Sequence, residues 1–125
     1  MYVYYNLNPD KNIVGDCVVR AIGLLTNQDW DTTYLRIVIQ GLLMHNMPSS
    51  NAVWGAYLYN NGFRRYMVKD VYPNIYTIKE FCADNPYGAF LICGDEHVVA
   101  VIDGNYYDTS DSGEEAVLYY WRKEE

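Results

Sequence analysis

The chain has 125 residues, half of them hydrophobic, and carries a formal net charge of −7. That length suits one domain with a core of its own, and the acidity disfavours a nucleic-acid backbone as partner, a role that calls for clustered Lys and Arg. No apolar run approaches the roughly 18 residues of a membrane span, and the opening "MYVYYNLNPDKN" lacks the basic and then apolar segments of a secretory signal.

In chain order, the first twelve residues read as extended or irregular. "VGDCVVRAIGLLTNQDW" then gives a helix from about Asp16 to Thr26, with Asp16 as N-cap and Val18, Ala21, Ile22 and Leu25 on its buried face. "DWDTTYLRIVIQGLLMHN" is a second helix, capped by Asp29 or Asp31 and apolar at Leu35, Val38, Ile39 and Leu42. "PSSNAVWGAYLYNNGF" is a third, started by Ser49 or Ser50 and stopped at Asn61-Gly62, where glycine suits the left-handed position after a helix. Arg64 to Val71 reads as a strand. In "TIKEFCADNP", Thr77 and Glu80 have capping-box spacing, and Pro86 ends a short helix. From Gly88 onward the runs become β-rich: "GAFLICG", "HVVAVIDGNYYDT" and "AVLYYWRK". Helices first and antiparallel strands second make an α+β protein.

Three cysteines without regular spacing argue against a disulfide framework and fit a reducing compartment, so a cytoplasmic location is expected. The cysteines and the two histidines form no zinc signature, no phosphate-binding glycine loop is present, and no cofactor is expected. Cys82 and Cys93 fall inside apolar elements and read as core, whereas His45 falls at a helix C-terminus, where a cation suits the dipole. Charge is uneven. Between Lys79 and Arg122 there are nine acidic residues and no basic one, and His97 lies among them. Such acids commonly only solubilise a surface; if they rim a cleft at His97, they favour a basic peptide or protein as partner.

Cys17 opens the first helix, where a helix N-terminus lowers a thiol's pKa, although a cysteine there can also simply fill a core. An Asp103-Gly104 turn of two residues sets Ile102 opposite Asn105 and Val99 opposite Asp108. His97 and Asp108 are then diagonal neighbours, roughly 7–8 Å apart, within reach of a side-chain hydrogen bond. A loop one residue longer would turn Asp108 to the other face. The spacing thus offers a thiol nucleophile, an imidazole base and a carboxylate to orient the ring.

A Cys at the start of the first long helix, further helices, then a His opening one strand and an Asp on the next resemble the papain-like cysteine peptidase superfamily. The segments "GDCVVRAI" and "HVVAVIDGNYYDTSDSG" are similar to small bacterial and phage-borne members, and to the domains that process double-glycine leader peptides. The resemblance implies a single papain-like domain over residues 1–125, with helices packed on a C-terminal antiparallel sheet. It also implies Cys17 as nucleophile, His97 as general base and then acid, Asp108 as orienter, and a peptide or other amide as substrate. The family's oxyanion-binding Gln, about six residues before the Cys, is here Lys11. Lys11 or Asn12 remains to supply that donor beside the Cys17 amide, with Asn12 preferred because its amide resembles the Gln. Tyr106 and Tyr107 are expected to flank the site, and Trp54 to form a wall. The alternative, to which the missing Gln points, is a catalytically inactive module on the same fold, phage-encoded and engaging a host protein.

Overall fold

Two central strands, β3 (Ala89–Cys93) and β4 (Val98–Ile102), pair antiparallel and bury both of their faces, as the computed structural model of residues 1–124 describes. Glu125, the last residue of the expected domain, lies outside the described residues. Because strand side chains alternate, Leu91, Cys93, Val98 and Ala100 enter one apolar cluster while Phe90, Ile92, Val99 and Val101 enter another. The first cluster is closed by α1 (Cys17–Thr26), α2 (Trp30–Met44) and α3 (Asn51–Asn60), through Ala21, Ile22, Ile37, Val53, Trp54 and Leu58. The second is closed by α4 (Ile78–Asp84) and the segment before it, through Tyr76, Ile78, Phe81 and Cys82. The sheet is thus covered on both faces.

Four further strands complete a six-stranded sheet: β1 (Tyr2–Tyr4), β2 (Phe63–Met67), β5 (Asn105–Asp108) and β6 (Tyr119–Lys123), in the order β1-β5-β4-β3-β6-β2. The expected C-terminal antiparallel sheet needs correcting in two respects. It recruits β1 and β2, which precede the β-rich stretch from Gly88, and β1 runs parallel to β5, with Tyr2 opposite Tyr106 and Tyr4 opposite Asp108. Three residues are too few for a period-2 signal, so β1 is a product of pairing rather than of local pattern. The strand expected at Arg64–Val71 is Phe63–Met67, set by its ladder with β6.

The β4–β5 turn takes the two-residue form. Asp103 has φ 50° and Gly104 φ 77°, the paired positive values of a type I′ hairpin, and Ile102 faces Asn105. Asp29 and Ser50 cap α2 and α3 through the amides of Thr32 and Ala52, and Thr77 with Glu80 makes the capping box of α4.

Helix α2 departs from the expected pattern. Its buried line is Thr33, Ile37 and Gly41, whereas Leu35, Ile39 and Leu42 are exposed and Val38 is half-buried. Close approach explains the choice. A Cβ on Gly23 of α1 would stand 3.0 Å from Thr33 Oγ1, and one on Gly41 would stand 2.7 Å from the Asn46 carbonyl oxygen. Small residues let the helix sit close to α1 and its own following turn, and the large apolar side chains are left outside. Ile37→Ala should therefore cost about 2–5 kcal/mol in urea unfolding, while Leu42→Ala stays within about 0.5 kcal/mol of the parent.

Candidate active site

Helix α1 begins at Cys17 without a side-chain cap, because Asp16, its expected cap, turns elsewhere. The Asp16 carboxylate is buried and accepts from Arg20 Nε at 2.8 Å, Trp30 Nε1 at 2.9 Å and Asn8 Nδ2 at 3.3 Å. With the carboxylate so engaged, no side chain occupies the amides of the first turn beside the thiol.

His97 is positioned by the connection between β3 and β4. The Gly94 amide donates to the His97 carbonyl at 2.8 Å, and a Cβ on Gly94 would come within 2.8 Å of the Ala116 carbonyl oxygen, so only glycine fits there. His97 Nε2 lies 2.7 Å from Asp108 Oδ2, which leaves Nδ1 as the ring nitrogen for the thiol of Cys17. The pairing in β4 and β5 that brings His97 and Asp108 together follows from the hairpin register.

Asp108 is 2% exposed, yet its carboxylate is fully engaged. Oδ2 also accepts from Ser112 Oγ at 2.8 Å; Oδ1 accepts from the Thr109 amide at 2.7 Å and from Arg20 Nη1 at 3.3 Å. Its backbone carbonyl accepts from the Tyr5 amide and the Tyr2 hydroxyl, both supplied by the β1 segment. Arg20, itself largely buried, thus bridges the two carboxylates that flank Cys17 and His97.

The three groups perturb one another in a consistent direction. Burial pushes the Cys17 thiol up, but His97, the Val98 amide and the positive charges of His97 and Arg20 outweigh it and leave its pKa lowered. The hydrogen bond to Asp108 and then that to Cys17 raise His97 to about 10, against the opposing effect of burial. Burial also works against the Asp108 carboxylate, but His97 and Ser112 prevail and lower its pKa. Both shifts favour the charged forms, a thiolate at Cys17 and an imidazolium at His97. The other thiols go the opposite way: burial raises Cys82, and it pushes Cys93 up to about 12.

Cys17 and His97 open into a cavity of about 790 Å³ walled by Trp30, Tyr34, Ile37, Val38, Trp54 and Tyr119. Trp54 is thus a wall of it, whereas Tyr106 is buried in the cluster beneath α4, and neither it nor Tyr107 lines the cavity. Asn12 is exposed and also lies away from the cavity lining; its backbone amide and carbonyl are tied to Asn8 and Asn6. Lys11 is bonded to the Asn6 carbonyl. The side-chain amide that reaches the start of α1 belongs to Asn8, and it is spent on Asp16.

Arg20, Ser112 and the Trp30 indole are site components that the sequence reading passed over. Only Arg20 left a readable signal, its i,i+4 spacing from Asp16. Among the described residues, no group of three or more His, Cys, Asp or Glu side chains is arranged to hold a metal ion. No protein-family model matches the chain, and neither curated proteins nor solved structures give a match.

Limited alkylation with peptide mapping should modify Cys17 before Cys82 and Cys93. Its rate should rise with pH through a midpoint below that of a free thiol, and His97→Ala should move that midpoint upward. Arg20→Met strands two buried carboxylates without their cation. Chemical denaturation should show a loss of about 3–5 kcal/mol.

Proposed function

We propose that the protein is a cysteine hydrolase of papain-like arrangement, cleaving a peptide or another amide through an acyl-enzyme at Cys17. The observation that carries this reading is the 2.7 Å contact between His97 and a buried carboxylate, on an imidazole whose other nitrogen serves a thiol of lowered pKa. A helix leading with its cysteine, packed on a sheet with His and Asp at the ends of neighbouring strands, agrees with that family's layout.

In this reading the Cys17 thiolate attacks the carbonyl carbon, and a C–S bond forms as the C=O π pair moves onto oxygen. The Cys17 amide and the uncapped first turn of α1 face the developing oxyanion, where the positive end of the helix dipole stabilises it. When the oxyanion collapses, the C–N bond breaks and the His97 Nδ1 proton goes to the leaving amine. His97 then takes a proton from water as its oxygen attacks the thioester, and the C–S bond breaks to release the acid and the Cys17 thiolate beside the His97 imidazolium. Asp108 holds the ring with Nε2–H directed at its carboxylate throughout, so Nδ1 stays aimed at the thiol.

A second reading, a binding module that has lost its chemistry, is favoured by one observation. The expected oxyanion donor Asn12 is outside the cavity. Turnover of a peptide library, with the thioester adduct sought by mass spectrometry, separates the two. Cys17→Ala should abolish both turnover and adduct, and His97→Ala should lower the rate roughly 10²–10⁴-fold. Asp108→Asn should fall between the parent and Asp108→Ala. It keeps one oxygen for His97 but turns an NH₂ against the amide of Thr109 and the guanidinium of Arg20. Peptide binding with no turnover and no adduct would select the binding module.

A further inference from the structure

The cavity in front of Cys17 has a lopsided chemistry. Its wall on the side of α2 and α3 is apolar and aromatic, formed by Trp30, Tyr34 and Trp54 among others, and its volume of about 790 Å³ is that of a small-ligand or side-chain site. Among the described residues, no Lys or Arg lines it. Its charged lining residues are Asp16, Asp95, Glu96 and His97. Two of these are already spent: Asp16 on Arg20, and His97 on Asp108 and Cys17.

Asp95 and Glu96 are different. Both are exposed, and among the described residues neither carboxylate has a hydrogen bond or ion pair. They occupy the turn immediately before His97, closed by the Gly94 amide on the His97 carbonyl, so the backbone that carries them is held beside that of His97. Glu96 holds φ 58°, a position that glycine or asparagine fills at less cost, so the charge is kept at the expense of backbone comfort. Arg65 lies over the Tyr119 ring and outside the lining. The remaining acids of the Lys79–Arg122 stretch are not on the rim. Glu80 caps α4, and Asp84 and Glu114 pair with Lys69 and Lys79. The cations beside the turn, His97 and Arg20, are themselves paired with Asp108 and Asp16, so the two unpaired carboxylates beside a low-dielectric wall leave the field at the cavity mouth negative.

From this we infer that the Asp95–Glu96 turn selects a cation, and that the cavity takes a segment bearing a large apolar side chain next to a Lys- or Arg-type group. The inference rests on the hydrolase reading only for calling that segment the substrate; the recognition itself is a property of the cavity. The apolar group lies against the rings of α2 and α3, and the cation meets the turn, with the scissile carbonyl left at Cys17 between them.

The test uses the Cys17 thiol as reporter, with a matched set of N-substituted iodoacetamides. The reagents carry a benzyl group with an ammonium, a benzyl group with a neutral amide, a benzyl group with a carboxylate, and a methyl group with an ammonium. Saturation kinetics separates recognition, read as the half-saturating concentration, from thiol chemistry, read as the limiting rate. At low salt the benzyl-ammonium reagent should half-saturate at a concentration roughly tenfold below the benzyl-carboxylate one. The advantage should collapse near 1 M salt, where the Debye length is about 3 Å. It should also vanish in the double variant Asp95→Asn with Glu96→Gln, whose fold is checked by circular dichroism. Equal half-saturation for the cationic and anionic reagents, or a preference that survives in the double variant, overturns the cation site. Equal half-saturation for the benzyl and methyl ammonium reagents overturns the apolar half. Failure of the hydrolase reading has a separate signature: a limiting rate no faster than that of a free thiol, whatever the order of the half-saturating concentrations.

Discussion

A carboxylate removed from water remains ionised only where protein donors replace its hydration, and Asp108 meets that condition with donors from widely separated parts of the chain. Arg20 comes from α1, His97 from the connection just before β4, and Thr109 and Ser112 from the loop after β5. The carbonyl of the same residue is held by Tyr2 and Tyr5. Each of these contacts requires that its element be docked, so the polar network is satisfied only in the assembled fold. Desolvation of such a group costs several kcal/mol, and the cost is offset only when all partners arrive together. The site and the fold are in this sense one cooperative unit.

Arg20 changes the meaning of the residue before Cys17. An Asp directly preceding a cysteine ought to oppose thiolate formation, because like charges repel. Here the guanidinium takes Asp16 Oδ1 and reaches on to Asp108, so the thiol sees a cation where a carboxylate might have dominated. The Trp30 indole closes the other oxygen and ties α2 to the same cluster. The first turn of α1 consequently presents bare amides and a net favourable field to the thiol, which is the condition a nucleophilic cysteine requires.

The parts legible in the sequence were those governed by local chemistry. Asp103-Gly104 demanded a type I′ turn, that turn fixed the register, and the register brought His97 to Asp108. Thr77 with Glu80 likewise announced its helix start, and of the two serines offered for α3 the cap is Ser50. What could not be read depended on tertiary approach. The buried line of α2 was decided by how near Gly41 and Thr33 let the helix come, against the larger hydrophobic signal of Leu35, Ile39 and Leu42. Asp16 looked like a cap, but burial beside Arg20 and Trp30 gave its carboxylate stronger partners than backbone amides. Asn12 resembled an oxyanion donor by side-chain type and rough spacing alone. The loop between Asn6 and Asn12 is instead folded on its own asparagines, and this removes Asn12 from the cavity.

The outward apolar side of α2 has a consequence for how copies of the chain meet in solution. Leu35, Ile39, Leu42 and Leu43 stand between 46% and 73% exposed, with Met44 and Met47 nearby. At neutral pH every such encounter is opposed by the mutual repulsion of molecules carrying −7 each. Near the isoelectric point of about 4.6 that repulsion vanishes, and the stripe of leucine and methionine alone governs contact. The acidity of the sequence thereby acts as a colloidal counterweight to a helix that spends its small residues on the core and shows its large ones to water.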